Sequence, residues 1–486
     1  MEAILNLLFR KLFTGIISLC LVFAGVTNAQ DTTILTGQRA DWANKPVEVW
    51  YYADYISTVE KTVTEVVPGD SGKLDISFPI KEPRQIYVES GGLEGSLFVM
   101  PGEAYELKLP EYRQMSKVDS LNPFYQPFKF FFGLENSHAT ELNHLITEFD
   151  LIYNDYLVNN FRQIRSKRQS SDVDTMVVFL DSLFKKGEQN AFFRGYKKYK
   201  IAKLLHIAYL HDDNYVVRDY YLDQPVLYTN PAYFDLFNKM FDNYIEYYAT
   251  TADGQDIAFN VVRAKSYQRS MRTLANNLAL RNDTLRELVF IKGLNDALYK
   301  NTFPKSSLYQ TLDSVKLQTK IPRHRKIVER IIDKTKKLQA GYPPPAFRIN
   351  MGDTLAFSFP QKSDRFILLN FINIESFAVQ KILPQLKQLS EKHEDVLKIV
   401  TINVGSKFEH ARKYFEMHQY NWLLLNGNKN TEVLEEYNVK AYPSYFLLNP
   451  EGKLALNPTP GPDGHFEYYF FKILKHRERE RYRQGR

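Results

Sequence analysis

The sequence contains almost no cysteine: Cys20 is the single one among 486 residues. It lies within residues 1–29, a segment with the pattern of an export signal, so we expect the mature chain to have no thiol. This excludes disulfide frameworks, zinc–thiolate sites, iron–sulfur clusters and cysteine nucleophiles. The histidines also lack the spacing of metal ligands. We therefore expect no metal and no cofactor.

Other signals of function are missing as well. There is no glycine-rich phosphate loop, no Gly-x-Ser-x-Gly elbow and no nucleic-acid recognition motif. The net charge of +7 is small for this length and requires no nucleic-acid partner. Hydrophobic residues make up 44% and charged residues 24%, which is an ordinary globular balance. At about 100–200 residues per domain, the length predicts about three domains.

Residues 1–29 have the pattern of a secretory signal peptide. Arg10 and Lys11 precede an apolar run from Leu12 to Val26, and small residues lead to a predicted cleavage site after Ala29. A membrane anchor is the first alternative, but the run is shorter than the roughly 20 residues that a bilayer span needs.

A lipoprotein signal is the second alternative, because Cys20 lies in the apolar run. Such signals have a small residue directly before the cysteine, and Leu19 departs from that pattern. No later segment is long and apolar enough to span a bilayer. The sequence thus predicts an exported protein, located in the periplasm or associated with the envelope, with no transmembrane segment.

Residues 31–111 show the alternation of β-strands. Val47–Tyr51, Lys73–Phe78 and Gln85–Glu89 alternate apolar and polar side chains, and clusters of glycine and proline separate them. Short strands at this spacing predict a β-sandwich-like domain.

Residues 112–340 have helical periodicity instead. Between Leu142 and Ile164, apolar side chains recur at helical spacing. Further helices are predicted at Ile201–Leu210, Tyr233–Tyr248, Ile257–Leu280 and Arg325–Leu338. No repeat period is convincing, so we expect an irregular all-α region.

Residues 341–475 alternate strands with helices, which predicts an α/β domain with helices on the faces of its sheet. The predicted strands are Phe366–Phe371, Leu397–Val404, Trp422–Leu425 and Tyr445–Leu448. Residues 476–486 form a basic tail. A solvated helix end is the simpler interpretation of this tail, and a weak contact with an anionic surface is the alternative.

The last region resembles the exported TlpA-like proteins with a thioredoxin fold. The resemblance is carried by four blocks in the family's order: Gly341–Phe347, Phe366–Phe371, Lys381–Pro384 and Tyr437–Leu448. It implies a thioredoxin-like fold over residues 341–475, with Pro443 as the family's cis-proline. The β region is similar to a domain found at the N-termini of such proteins.

The resemblance also locates the family's redox motif, and both of its cysteines are missing. Counted from Phe371, Ser376 and Val379 stand at the cysteine positions. The family mechanism needs a thiolate at the helix start and a second thiol that resolves the mixed disulfide. A thiol–disulfide oxidoreductase is therefore disfavoured. A hydrolase that uses Ser376 would need a nearby base, and the nearest histidine is His393, so a helix N-cap is the simpler role for Ser376.

We therefore expect a redox-inactive protein that is not an enzyme and that binds or scaffolds proteins or extended peptides in the cell envelope. In the family, the loop before the cis-proline pairs its backbone with a peptide, and this pairing needs no cysteine. The alternative is that the cis-proline turn only shapes the sheet. The expected binding residues, with Ile374 and Phe377 as apolar contacts, are Ile374, Glu375, Ser376, Phe377, Tyr442 and Pro443.

Overall fold

The chain forms two compact units, one within residues 32–115 and 126–328 and the other within residues 329–484. The predicted signal peptide, residues 1–29, lies outside the described residues. The computed structural model describes residues 32–116, 125–167, 170–208, 213–300, 302–350, 356–404, 408–428, 431–439 and 441–484.

Two sheets begin the first unit, as the alternation predicts. One has the strand order β4-β1-β7-β9 and the other β3-β2-β5-β6-β8. Most neighbours are antiparallel, whereas β1 with β7 and β6 with β8 are parallel. In chain order, strands β1 to β9 are Thr32–Gln38, Val47–Tyr52, Glu60–Val66, Lys73–Pro79, Arg84–Ser90, Leu93–Val99, Ala104–Lys108, Phe128–Phe131 and Gly133–Leu134.

The core of this β region follows the period of two. In β4, Leu74, Ile76 and Phe78 are buried and the residues between them are exposed. Strand β6 is different, because all of its residues are buried. Its second face is covered by the helical region, where the side chain of Asn143 binds both the N–H of Phe98 (2.6 Å) and its carbonyl (2.8 Å). The β and helical regions therefore share one unit, and the boundary at residues 111 and 112 stays a prediction.

The predicted helical region is confirmed. In chain order, helices α1 to α11 are Leu142–Lys167, Ser170–Leu183, Ala191–Ile207, Asp213–Val216, Pro231–Met240, Tyr244–Tyr248, Ile257–Phe259, Tyr267–Leu274, Asp283–Tyr299, Lys305–Gln318 and Pro322–Lys336. The stretch predicted as one helix over Tyr233–Tyr248 is divided between α5 and α6. The break lies at Asn243, whose φ is 53° and whose N–H binds the carboxylate of Asp296 at 3.1 Å.

The second unit has the predicted α/β alternation. Its main sheet has the order β14-β13-β12-β15-β16, in which β12, β13 and β14 are parallel and β15 is antiparallel to both of its neighbours, β12 and β16. Strands β10 to β16 are Phe347–Asn350, Ala356–Phe359, Phe366–Ile372, Leu397–Asn403, Leu423–Asn426, Ser444–Leu448 and Leu454–Thr459. Helices α12 to α15 are Phe377–Lys392, Phe408–Met417, Thr431–Glu436 and Phe466–Gln484.

The central strand β12 fixes the position of the site. Every residue of β12 is buried, because an apolar core lies on each face of the sheet. Val379 and Leu383 of α12 pack on one face, and Val433 and Tyr437 belong to the core on the other. No helix among the described residues is long and apolar enough to cross a membrane.

Candidate functional site

The turn from β12 into α12 is the part of the chain that resembles a redox motif. The carboxamide oxygen of Asn373 accepts the N–H of Glu375 at 3.0 Å, and the Asn373 carbonyl accepts the N–H of Ser376 at 2.9 Å. Ser376 is the N-cap of α12, and its carbonyl accepts the N–H of Gln380 at 3.1 Å. Its hydroxyl makes no capping hydrogen bond. Ser376 is thus the N-cap of α12, as predicted, but its hydroxyl does not accept a hydrogen bond from the first turn of the helix, as an N-cap side chain usually does.

The backbone of Ile374 links this turn to β13 and to α12. Its N–H donates to the side chain of Asn403 at 3.1 Å, and its carbonyl accepts from the Gln380 side chain at 2.9 Å. The side chain of Ile374 is fully buried in the core under α12. The sequence-based prediction that Ile374 is an apolar surface contact is therefore wrong, because its side chain has no exposed area to offer.

Phe377 is the apolar side chain that the turn does expose. It is the first residue of α12 and is 80% exposed, and Glu375 beside it is exposed as well. Val379, at the second cysteine position of the resemblance, is fully buried. Single exposed apolar residues are common on protein surfaces, and Leu278 and Leu317 are as exposed as Phe377, at 80% and 81%.

No general base accompanies Ser376. Among the hydrogen bonds of the described residues, none joins its hydroxyl to a histidine. His393 lies at the other end of α12, about 26 Å away at 1.5 Å per residue, and is bound to the carboxylate of Glu467 at 2.7 Å. The arrangement of an activated serine is therefore missing in the described part of the chain.

The loop before β15 lies at the same end of the sheet. Ser444 of β15 pairs with Phe371 of β12, so Tyr442 and Pro443 lie beside the carboxyl end of β12, where the turn begins. The peptide bond between Tyr442 and Pro443 is cis. The ring of Tyr442 is half-buried against both apolar cores, and this burial raises the pKa of its hydroxyl.

The backbone of Tyr442 is unpaired in the described part of the chain. Neither its N–H nor its carbonyl takes part in a backbone hydrogen bond there, whereas β15 pairs with β12 from Ser444 onward and with β16 from Tyr445 onward. The fold thus brings together an exposed aromatic ring, a helix start and free main-chain groups. Of the six predicted binding residues, Glu375, Ser376, Phe377, Tyr442 and Pro443 are at least partly exposed, whereas Ile374 is fully buried and both of its backbone groups are hydrogen-bonded within the domain.

A row of buried polar side chains crosses the sheet beneath this turn. Asn370 of β12 is fully buried, and neither its amide nitrogen nor its oxygen has a hydrogen-bond partner among the described residues. It lies opposite Tyr445, whose hydroxyl is also unpartnered, and opposite Thr401, whose hydroxyl accepts from Trp422 at 2.8 Å. In the sequence, Asn370 was noted only as part of the block Phe366–Phe371 that carries the family resemblance. A single polar residue in the run Phe-Ile-Leu-Leu-Asn-Phe-Ile was the available signal.

The helical region holds a second cluster of buried ionisable groups. Glu287 of α9 accepts from Thr319 at 2.5 Å, from the hydroxyl of Tyr267, and contacts His324 Nδ1 at 2.7 Å. The hydroxyl of Tyr228 lies 2.9 Å from His324 Nε2. Burial raises the pKa of Tyr228 to about 12, so this hydroxyl is a poor nucleophile. The cluster joins α9, α8 and α11, and its groups satisfy one another.

The family comparison matches part of the second unit. Residues 364–454 match the family model described as thioredoxin-like. No curated protein matches the chain.

Several solved structures are similar to part of this chain. A thioredoxin-like protein from Bacteroides caccae is 16% identical over 53% of this chain and 92% of its own, with a TM-score of 0.28. The thioredoxin domain of a thiol-disulfide oxidoreductase from Bacteroides vulgatus is 21% identical over 28% of this chain and 99% of its own, with a TM-score of 0.25. A thiol:disulfide interchange protein from Bacteroides sp. is 24% identical over 28% of this chain and 88% of its own, with a TM-score of 0.24. These values say nothing about activity.

The family match agrees with the order of strands and helices around β12 and with the resemblance in the sequence. The two positions where that resemblance expects cysteines carry Ser376 and Val379, and the chain's one cysteine is Cys20. Residues 364–454 therefore form a thioredoxin-like domain that lacks the Cys-x-x-Cys pair.

Proposed function

We propose that this protein is an exported, redox-inactive component of the cell envelope that binds a protein or an extended peptide without catalysis. One observation carries the proposal: the backbone of Tyr442, which forms no backbone hydrogen bond with any described residue, lies at the same end of the sheet as the exposed ring of Phe377. A free N–H and carbonyl can pair with an extended chain as another strand would. Nothing in that pairing uses a thiol.

The chemistry of the chain argues against the redox alternative. Thiol–disulfide exchange requires a thiolate that attacks and a second thiol that resolves the mixed disulfide. The sequence has one cysteine, and it lies in the segment predicted to be removed. The hydroxyl of Ser376 cannot replace a thiolate, because a helix start does not lower the pKa of an aliphatic hydroxyl enough to ionise it.

The proposed peptide site has an apolar and a main-chain part. The Phe377 ring supplies apolar area that is in water when nothing is bound, and a buried aromatic anchor commonly dominates an interface. The main-chain groups of Tyr442 set the direction of the bound peptide. Glu375, two residues before Phe377, is exposed and places one negative charge at the site.

Photo-crosslinking tests the site directly. A photoreactive phenylalanine analogue at position 377 should capture an envelope protein in intact cells, and the same analogue at position 417 serves as the control. Met417 is 70% exposed at the end of α13, so the two positions differ in place and little in exposure. Equal capture at both positions would contradict a specific site at the helix start.

A charge substitution gives the complementary test. Phe377→Asp should abolish capture and leave the melting temperature unchanged, because the ring is in solvent. Met417→Asp should change neither. If Phe377→Asp captures partners normally, the peptide edge is not the binding surface. Export is tested separately: the mature protein should begin at Gln30 when its N-terminus is sequenced.

A further inference from the structure

The C-terminal helix α15 has two faces of different chemistry. Phe466 and Phe470 on the inner face are fully buried, and Phe470 packs edge-on against Phe366 of β12 at 5.3 Å between ring centroids. Farther along, Arg477 forms a two-pronged ion pair with Glu451. These contacts fix the rotation of the helix, so the side chains on the opposite face point away from the domain.

The outer face combines aromatic rings with cations. Tyr468, Phe471 and Tyr482 are 56%, 44% and 77% exposed. Exposed cations lie between them at helical spacing on the same face: Lys472, Lys475 and Arg479. We refer to these six residues as the outer face of α15.

Acidic residues are at the margin of the outer face or paired elsewhere. Glu467 is bound to Lys392 at 2.9 Å and to His393 at 2.7 Å, and these contacts lower the pKa of its carboxyl. Glu478 is exposed beside the face. Lys472 stays within the face, with its ammonium 4.2 Å from the centre of the Tyr468 ring. The face therefore has a net positive charge with apolar rings set among the cations.

We propose that the outer face of α15 binds the surface of a bilayer that contains anionic phospholipids. Tyrosine and phenylalanine rings favour the headgroup region of a membrane, and lysine and arginine are attracted to anionic headgroups. From Tyr468 to Tyr482 the face runs about 21 Å along the helix at 1.5 Å per residue. Such a convex, straight face fits a flat surface, whereas a peptide ligand would need a groove.

This surface is separate from the peptide edge at Tyr442, so the two proposals can fail independently. It also differs from a membrane span, because the inner face of α15 is committed to the core of the domain. Three cations at the membrane surface are expected to strengthen partition by about 100-fold together. The rings add a contribution that salt does not screen.

Vesicle co-sedimentation tests the proposal with purified protein. Binding is expected to vesicles of phosphatidylcholine with 30 mol% phosphatidylglycerol and to be much weaker with phosphatidylcholine alone. The variant K472Q/K475Q/R479Q should lose roughly 100-fold in partition coefficient. The control variant K362Q/K381Q/K413Q removes three exposed cations from the same unit and should keep most of the binding.

A second pair of variants isolates the rings. In high salt, where electrostatic attraction is screened, F471S/Y482S should bind the vesicles about tenfold more weakly than the unmodified protein does. The control variant F259S/Y299S, which changes two exposed aromatic residues of the other unit, should bind as the unmodified protein does. Equal loss in the test and control variants overturns the proposal. It is also overturned if soluble polyglutamate or an oligonucleotide displaces the protein from vesicles at equivalent charge, since the face would then prefer an acidic polymer.

Discussion

Glu287 in the helical region and Asn370 in the thioredoxin-like domain are both buried polar groups, but their surroundings differ. Glu287 accepts from two hydroxyl groups and contacts His324, and the far nitrogen of that ring meets Tyr228. Within the described part of the chain, neither end of the Asn370 amide has a hydrogen-bond partner. The first arrangement stabilises its region, because a buried charge is tolerated only when it is fully hydrogen-bonded. The second costs stability.

Asn370 and Glu287 also differ in their position in the fold. Asn370 lies in β12, shortly before the turn that carries Phe377, whereas Glu287 lies in α9 of the helical region. Local costs in stability tend to persist where function requires them. The unpartnered side chains of Asn370 and Tyr445 lie near the end of the sheet where we propose that a peptide binds.

The largest expected effect comes from breaking the satisfied cluster. Glu287→Leu leaves Tyr267, Thr319 and His324 without their acceptor and should cost about 3–5 kcal/mol of unfolding free energy. The control is Glu148→Leu, because Glu148 also lies beside a histidine, His144, but in an exposed pair at 3.6 Å. That change should cost less than about 1 kcal/mol.

Hydrogen exchange read by mass spectrometry can assign this loss to a region. Exchange should accelerate in α9 and α11 of the Glu287→Leu protein and stay unchanged in β12 and β13. A loss of protection spread equally over both units, or a similar loss in the Glu148 control, would show that the cluster is not what stabilises the helical region.

The same cluster predicts how stability depends on pH. Burial by itself raises the pKa of Glu287, but hydrogen bonds from His324, Thr319 and Tyr267 outweigh it, so the pKa lies below the ordinary 4.5. A group with a lowered folded-state pKa stabilises the fold above its unfolded pKa, and this stability is lost as the pH falls through the folded value. Acid should therefore destabilise the helical region below about pH 4.5, and Glu287→Gln should flatten that dependence in urea titrations.

Two asparagines of the thioredoxin-like domain extend the comparison to a smaller effect. Asn403 is fully buried like Asn370, but its side chain accepts the N–H of Ile374. Asn403→Leu should cost about 1–3 kcal/mol, since that N–H is left buried and unpaired. Asn370→Leu should be neutral or stabilising by up to about 1 kcal/mol, since no hydrogen bond is lost. Thermal unfolding of the two variants measures both changes in stability. An equal loss of stability in both variants would mean that Asn370 is also paired.

Much of the fold could be predicted because the patterns are local. The strands around Lys73–Pro79 alternate with a period of two, and β12 stands out as an apolar run between helices. Pro443 could be predicted as cis from the resemblance. The division of Tyr233–Tyr248 could not be predicted, because it depends on Asp296, which is distant in the sequence and binds the N–H of Asn243.

The site was harder to predict than the fold, because burial depends on neighbours that the sequence does not identify. Ile374 and Phe377 are both large apolar residues three positions apart, yet one is fully buried and the other is 80% exposed. The difference arises because Asn403 and Gln380 hold the Ile374 backbone and direct its side chain into the core. The partnerless state of Asn370 likewise becomes visible only when three strands are in register.

The smallest expected effect concerns Ser376 itself. A serine N-cap ordinarily contributes about 1 kcal/mol through its hydroxyl, but this hydroxyl makes no capping bond. Ser376→Ala should therefore change the unfolding free energy by less than about 0.3 kcal/mol. In contrast, Asn190 caps α3 through bonds from Phe192 and Phe193 at 3.0 and 3.1 Å, so Asn190→Ala should cost about 1 kcal/mol. If Ser376→Ala impairs partner capture while stability is unchanged, the free hydroxyl serves the bound peptide and not the helix.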